Sequence, residues 1–148
     1  MSAEIEKQVH ELYWEQDVNC AGTMLTCLCR MHQIPLERQT LDSTAGLHGA
    51  GGFRAQCGLV EGALMFIGID LSALGKSKGE IASLCYEYAG AFTKKFGSLR
   101  CYDLRPGGFR AEDPPHACEG LTCAAVQFTR EFLERAQLLS ESGKEESV

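Results

Sequence analysis

Cys57-Gly58-Leu59-Val60-Glu61-Gly62-Ala63-Leu64-Met65-Phe66-Ile67-Gly68-Ile69 decides how this chain folds. The run from Leu59 to Ile69 is apolar nearly all round, which predicts a helix buried at the centre of the molecule rather than one lying on its surface. Glu61, Gly62 and Gly68 interrupt it, and it is too short to span a bilayer. Gly62 and Gly68 would let neighbouring backbones come close. Immediately upstream, Gly46-Leu47-His48-Gly49-Ala50-Gly51-Gly52 holds four glycines in seven residues. That density predicts a loop whose backbone takes positive φ or approaches something closely.

Outward from this centre the period is helical. Ile5, Val9, Leu12 and Tyr13 share one face of a helix over 3–16, and Asp17 and Asn19 mark a break. Ala21, Met24, Leu25 and Leu28 repeat the i, i+3, i+4, i+7 spacing in a helix that begins at Cys20, is capped by Asn19 and ends by Pro35. A third helix starts near Leu36. After a polar turn at Gly75 to Gly79, Ile81, Leu84, Cys85, Tyr88, Phe92 and Phe96 trace a stripe that stops at Gly97. Prolines forbid a continuous helix over 105–117. A last helix from about Cys118 carries Leu121, Ala125, Phe128, Phe132 and Leu139 inward. No alternating strand pattern and no internal repeat occurs. The expected fold is all-α: one domain over 1–148, a bundle of five or six helices with its core over 3–139 and a polar tail over 140–148.

The 148 residues carry a formal net charge of -6, and 45% of them are hydrophobic. The balance predicts a folded protein that repels phosphate, so a nucleic-acid partner is not expected. The N-terminus lacks a basic segment followed by an apolar one, so the expected setting is the cytoplasm, with no membrane partner. The glycine-bearing apolar helices suggest a homodimer.

The eight cysteines are Cys20, Cys27, Cys29, Cys57, Cys85, Cys101, Cys118 and Cys123. In a reducing compartment, metal binding or redox chemistry explains such enrichment better than disulfides. No C-x-x-C occurs, which argues against a thioredoxin motif and a zinc ribbon, and C-x-x-C-H is absent, which argues against c-type haem. Cys27 and Cys29 point about 200° apart on a helix, a poor dithiol. Cys20, Cys57 and Cys118 sit at predicted helix starts, where free amides favour a thiolate, and Cys101 lies at a helix exit. Cys27, Cys29, Cys85 and Cys123 lie inside helices and read as packing residues.

Asn19-Cys20-Ala21, Cys57-Gly58-Leu59-Val60-Glu61-Gly62-Ala63-Leu64, Phe96-Gly97-Ser98-Leu99-Arg100-Cys101-Tyr102-Asp103-Leu104 and Cys118 resemble the redox-active family C_GCAxxG_C_C. Its hallmark is four cysteines, one of them in a C-G-A-x-x-G segment. Leu59 stands where that motif has alanine. The resemblance covers roughly 18–135 and implies that Cys20, Cys57, Cys101 and Cys118 form the site, as metal ligands or as redox thiols. A similar module in split-Soret cytochromes is associated with an iron–sulfur centre, which implies a cluster ahead of zinc, and an unidentified redox partner.

Gly49, Gly51, Gly52 and Gly58 are the expected backbone contacts to a bound group. His48 could donate to an anion or to cluster sulfide, and His116 could act on Cys118. Arg54 and Arg100 flank the site cysteines in sequence. Three functions remain open on the residues alone: electron transfer through an iron–sulfur or other thiolate-bound metal centre, metal-free thiol/disulfide exchange, and an anion- or small-molecule-binding module with structural thiols. Both redox readings require at least three of the four cysteines to come within disulfide or shared-metal reach.

Overall fold

A computed structural model describes residues 2–113 and 115–146, with side chains through 137. Among the described residues the chain forms eight helices and no strand, which makes the expected all-α class correct. Five helices form the body: α1 (Ala3–His10), α2 (Cys20–Met31), α5 (Gly58–Ala73), α6 (Lys78–Phe96) and α8 (Glu119–Glu146). Three are single turns: α3 (Arg38–Asp42), α4 (Gly49–Gly52) and α7 (Cys101–Leu104). A π-helical turn, Glu11–Glu15, extends α1 to the break at Asp17, whose φ is 52°.

The helix ends follow the local chemistry. The Asn19 side chain accepts from the Gly22 N–H at 3.0 Å and opens α2. Ser77 and Glu80 close a reciprocal capping box on α6. Gly97 ends α6 with φ 94°, a conformation glycine adopts without steric cost. Helix α2 stops at Met31, four residues before Pro35, because Gln33 turns into the left-handed region at φ 56°.

Helix α5 is central, packed on α2, α6 and α8. Its buried residues are Gly58, Leu59, Val60, Gly62, Ala63, Phe66 and Ile67, as its all-round apolarity predicted. Gly62 is where it meets α2. A Cβ there would collide with the Ala21 carbonyl oxygen and stand 3.0 Å from Met24 Cβ. Gly68 differs from expectation: nothing lies within 4 Å of its would-be Cβ, so it brings no neighbour close.

Helix α8 is rotated relative to its expected inner face. Thr122, Ala125, Val126, Thr129 and Leu133 are buried, while Leu121, Phe128 and Phe132 are half-buried against the core. Leu139 lies outside the described side chains. The two threonines are satisfied by tyrosines, Tyr13 to Thr122 at 2.6 Å and Tyr88 to Thr129 at 2.7 Å. Two polar pairs inside an apolar core fix the rotation of α8 against α1 and α6, because any other setting would leave buried hydroxyls without partners.

The two glycines of α5 should behave oppositely. Gly62→Ala has backbone in its way and should lose about 1–3 kcal/mol of unfolding free energy. Gly68→Ala has open space and should gain roughly 0.5–1 kcal/mol by stiffening the helix. Urea unfolding of both variants measures the difference, and equal effects would contradict the packing described here.

Candidate functional site

Three features of the chain bring the four motif cysteines together. The first is the α2–α5 contact. Cys20 is the first residue of α2, and its sulfur lies against Gly58, at the position a Cβ on that residue would take. The same phantom Cβ would stand 2.8 Å from the Leu47 carbonyl oxygen and 3.1 Å from the Ala21 nitrogen. Cys57, the residue before Gly58, occupies the N-cap of α5.

The second feature is a short antiparallel bridge in an otherwise helical chain. Gln56 pairs with Arg100. The Cys57 N–H donates to the Leu99 carbonyl at 2.8 Å, and the Cys101 N–H donates to the Ala55 carbonyl at 2.7 Å. These bonds hold Cys101 beside Cys57. Cys101 then opens α7, so all four cysteines stand at helix starts, including the one expected at a helix exit. Gly49 leaves room for it, since a Cβ there would lie 3.1 Å from the Cys101 sulfur.

The third feature is the loop that carries Cys118. Phe109 is held between two guanidinium groups, Arg54 at 4.1 Å and Arg105 at 4.6 Å from its ring centroid, with Tyr102 stacked alongside. Arg105 also pairs with Asp113 at 3.5 Å. At the far end of the loop His116 stacks on Tyr13 at 5.0 Å and meets the edge of Trp14 at 4.7 Å. His116 has φ 60°, so this loop end is strained as well as anchored.

Within this arrangement every pair among Cys20, Cys57, Cys101 and Cys118 interacts electrostatically, and the neighbouring cysteines make Cys20, Cys57 and Cys118 harder to ionise. The four are therefore gathered, not dispersed over separate faces. All eight cysteines are free thiols. Among the described residues no group of three or more histidine, cysteine, aspartate or glutamate side chains is placed to hold one metal ion.

The thiols ionise less readily than their positions in sequence suggest. Burial pushes the Cys57 thiol up from 9.0 to about 11; the amides of Leu59 and Val60 favour its thiolate without closing a full cap hydrogen bond, and Cys101 and Cys118 work against it. Burial pushes Cys20 up to about 12, with Cys57 and Cys118 adding to the effect and the Ala21 amide opposing it. Burial also raises Cys101 and Cys118; Arg105 favours the thiolate at both, and Arg54 does so at Cys101. The expectation of low-pKa thiolates at helix starts is thus reversed in the metal-free protein, because desolvation of the anion outweighs a few oriented amides.

The remaining candidates separate clearly. Gly49 and Gly58 touch site sulfurs, whereas Gly51 and Gly52 face open space. They are nonetheless left-handed, at φ 68° and 84°, so they shape the loop rather than line the site. His48 is exposed, with Nδ1 at 3.5 Å from the Asn19 amide nitrogen. Arg54 acts on Cys101, while Arg100 lies over the Tyr102 ring at 5.7 Å. Cys27, Cys29 and Cys123 are core residues and Cys85 is half-buried on α6, away from the site helix starts. Tyr13, Arg105 and Phe109 were not legible in the sequence as site residues. A lone tyrosine in a helical stripe and a loop arginine carry no spacing signal.

The sign of these shifts sets a pH dependence. A folded-state thiol raised above its unfolded value stabilises the fold fully at lower pH and loses that contribution as pH climbs through the folded pKa. The reduced, metal-free protein should keep its unfolding free energy from neutral pH to about 9 and lose it progressively toward about 12. Denaturant titration across that range, with Cys57 alkylation rates still rising at pH 10, is the check. A plateau in alkylation below pH 8.5 would contradict the buried, protonated thiol.

No curated protein and no solved structure matches the chain. Residues 18–132 match the family described as "Putative redox-active protein (C_GCAxxG_C_C)", a span that takes in all four gathered cysteines. The chain belongs to this family of multi-cysteine redox-active proteins.

Proposed function

We propose that the protein transfers electrons through an iron–sulfur cluster held by Cys20, Cys57, Cys101 and Cys118. The observation that carries this reading is the mutual grouping of four thiols, with Arg105 and Arg54 acting as their nearby positive charges. The donor set fits the group. Four soft sulfur ligands suit a cluster. Four thiolates also suit zinc, so the content of iron and acid-labile sulfide is what separates the two. When bound, the cluster would supply reversible one-electron chemistry.

The chain's own residues do the rest. Burial keeps the empty site protonated and unreactive, so loading releases protons and strengthens as pH rises. The guanidinium groups of Arg105 and Arg54 offset part of the negative charge that four thiolates bring. Gly58 and Gly49 leave the sulfurs of Cys20 and Cys101 in place, because a side chain at either position would displace them. The same raised pKa values speak against metal-free thiol/disulfide exchange, whose rate depends on the thiolate fraction.

No helix among the described residues is long and apolar enough to cross a membrane. A reducing cytoplasm would keep eight free thiols reduced, and an electron-transfer role requires a redox partner.

Protein expressed and purified without oxygen should be brown and contain iron and acid-labile sulfide in comparable amounts. Cys57→Ser should lose most of its iron, and Cys85→Ala should lose none. A colourless protein that takes up no iron after anaerobic reconstitution with iron and sulfide would overturn the proposal. Disulfides among the four cysteines in that protein would favour the thiol-exchange reading instead.

A further inference from the structure

The short bridge that sets Cys101 beside Cys57 also builds a face on the surface of the protein. Residues 54–57 run antiparallel to 99–102: Gln56 pairs with Arg100, and the Tyr102 N–H donates to the Arg54 carbonyl at 3.1 Å. The ribbon therefore places Phe53 and Arg54 beside Arg100 and Tyr102, with Cys101 between the last two in sequence and half-buried. Phe53 is 85% exposed and Tyr102 56% exposed. Neither ring belongs to the core or packs against it, so folding does not account for either.

The charge here runs against that of the whole chain. Arg54, Lys94, Lys95, Arg100, Arg105 and Arg110 are the cations of the ribbon, of the end of α6 that leads into it and of the loop that leaves it. The carboxylates of the same segments are Asp103, Glu112 and Asp113. Six against three leaves an excess of three positive charges, on a chain of net charge -6. Asp113 is taken up by Arg105 at 3.5 Å, and Asp103 accepts from the Ser98 hydroxyl at 2.8 Å. Arg54 and Arg100 are exposed and have no carboxylate partner among the described residues. Each lies against a ring, Arg54 over Phe109 at 4.1 Å and Arg100 over Tyr102 at 5.7 Å. A ring on the flat face of a guanidinium leaves its in-plane N–H donors free to take a carboxylate.

We propose that Phe53, Arg54, Arg100 and Tyr102 form a docking face for an electron-carrier protein that presents a carboxylate-rich surface. The two guanidinium groups receive its acids, and the two rings supply the apolar contact between them, a composition that protein interfaces favour. The face adjoins Cys101, so a carrier seated there stands next to the redox site. One electron crosses the contact, oxidising the carrier as it reduces the site or the reverse, and no bond is made or broken. The inference names the partner of the electron-transfer reading above and rests on it for the identity of that partner.

The test is hydroxyl-radical footprinting of the full metal-free chain, read at each residue by mass spectrometry, so it needs no cluster. The probes are flavodoxin, an acidic carrier protein, and cytochrome c, a basic one. Tyr86, 83% exposed on α6, is the internal reference. At low ionic strength flavodoxin should lower oxidation of Phe53 and Tyr102 several-fold and leave Tyr86 unchanged, and added salt should reverse the protection. Cytochrome c should protect neither ring. Arg100→Gln and Phe53→Ser should each weaken flavodoxin binding several-fold. Lys78→Gln, which removes one charge at the other end of α6, should not. No protection by flavodoxin, protection that extends equally to Tyr86, or binding indifferent to Arg100→Gln would overturn the proposal. So would equal protection by cytochrome c, by an RNA oligonucleotide or by the chain itself at raised concentration; the last two would assign the face to nucleic acid or to a second copy. A protein that takes up no iron yet keeps the flavodoxin footprint leaves the docking face standing and removes only the cluster.

Discussion

Helix α5 lies against α2 at backbone distance, and the absence of two side chains allows it. At Gly62 a Cβ would strike the Ala21 carbonyl; at Gly58 it would occupy the place of the Cys20 sulfur. The same two residues thus set the tightest helix contact in the core and the first cysteine pairing of the site. Interiors pack densely and cannot yield by the width of a methyl group without wider movement. A larger residue at 58 would therefore separate α2 from α5 and move Cys20 away from Cys57 in one displacement. Packing and chemistry are not independent in this molecule.

The second governing effect is desolvation. Four cysteines at helix starts receive oriented amides, which favour charge by typically 0.3–1 kcal/mol and by about 2 kcal/mol in favourable geometry. The net shift at Cys57 nevertheless runs upward to about 11, a bias against the thiolate on the order of 3 kcal/mol. Burial wins because the sulfur is enclosed by Leu59, Val60 and the core beneath them, while the neighbouring cysteines add mutual repulsion as they ionise. Tyr13, whose hydroxyl bonds Thr122 next to three of the four cysteines, is itself held neutral by burial. A site built this way keeps its free thiols protonated at neutral pH.

The elements with a long periodic pattern were legible in the sequence: the five principal helices, the Asn19 cap, the Gly97 stop and the buried character of α5. The helix-start positions of Cys20, Cys57 and Cys118 were legible too, whereas Cys101, read at a helix exit, opens α7. What escaped reading was whatever depends on partners distant in sequence. The Gln56–Arg100 bridge is too short to show a period of two, yet it is what sets Cys101 beside Cys57. Thr122 and Thr129 drew no reading as inward positions, because their partners Tyr13 and Tyr88 lie 109 and 41 positions away. Gly62 and Gly68 look alike in sequence and differ only in whether another backbone passes by. The sign of the thiol shifts escaped as well, since helix position is local information and burial is not.

The loop between α7 and α8 couples these effects. Cys118 and Arg105 belong to the same segment, and Phe109, gripped by Arg105 and Arg54, holds that segment down. Gly107 and Gly108, at φ 76° and 75°, turn the chain sharply enough for the ring to reach both guanidinium groups. The two arginines therefore serve twice: their planar faces hold the ring by cation–π contact, and their charge favours the thiolates of Cys101 and Cys118. If the loop lifts, the site loses one thiol and one counter-charge together. The fourth thiol and the charge that favours its thiolate arrive on one piece of chain, so the site is electrostatically complete only when it is also sterically complete.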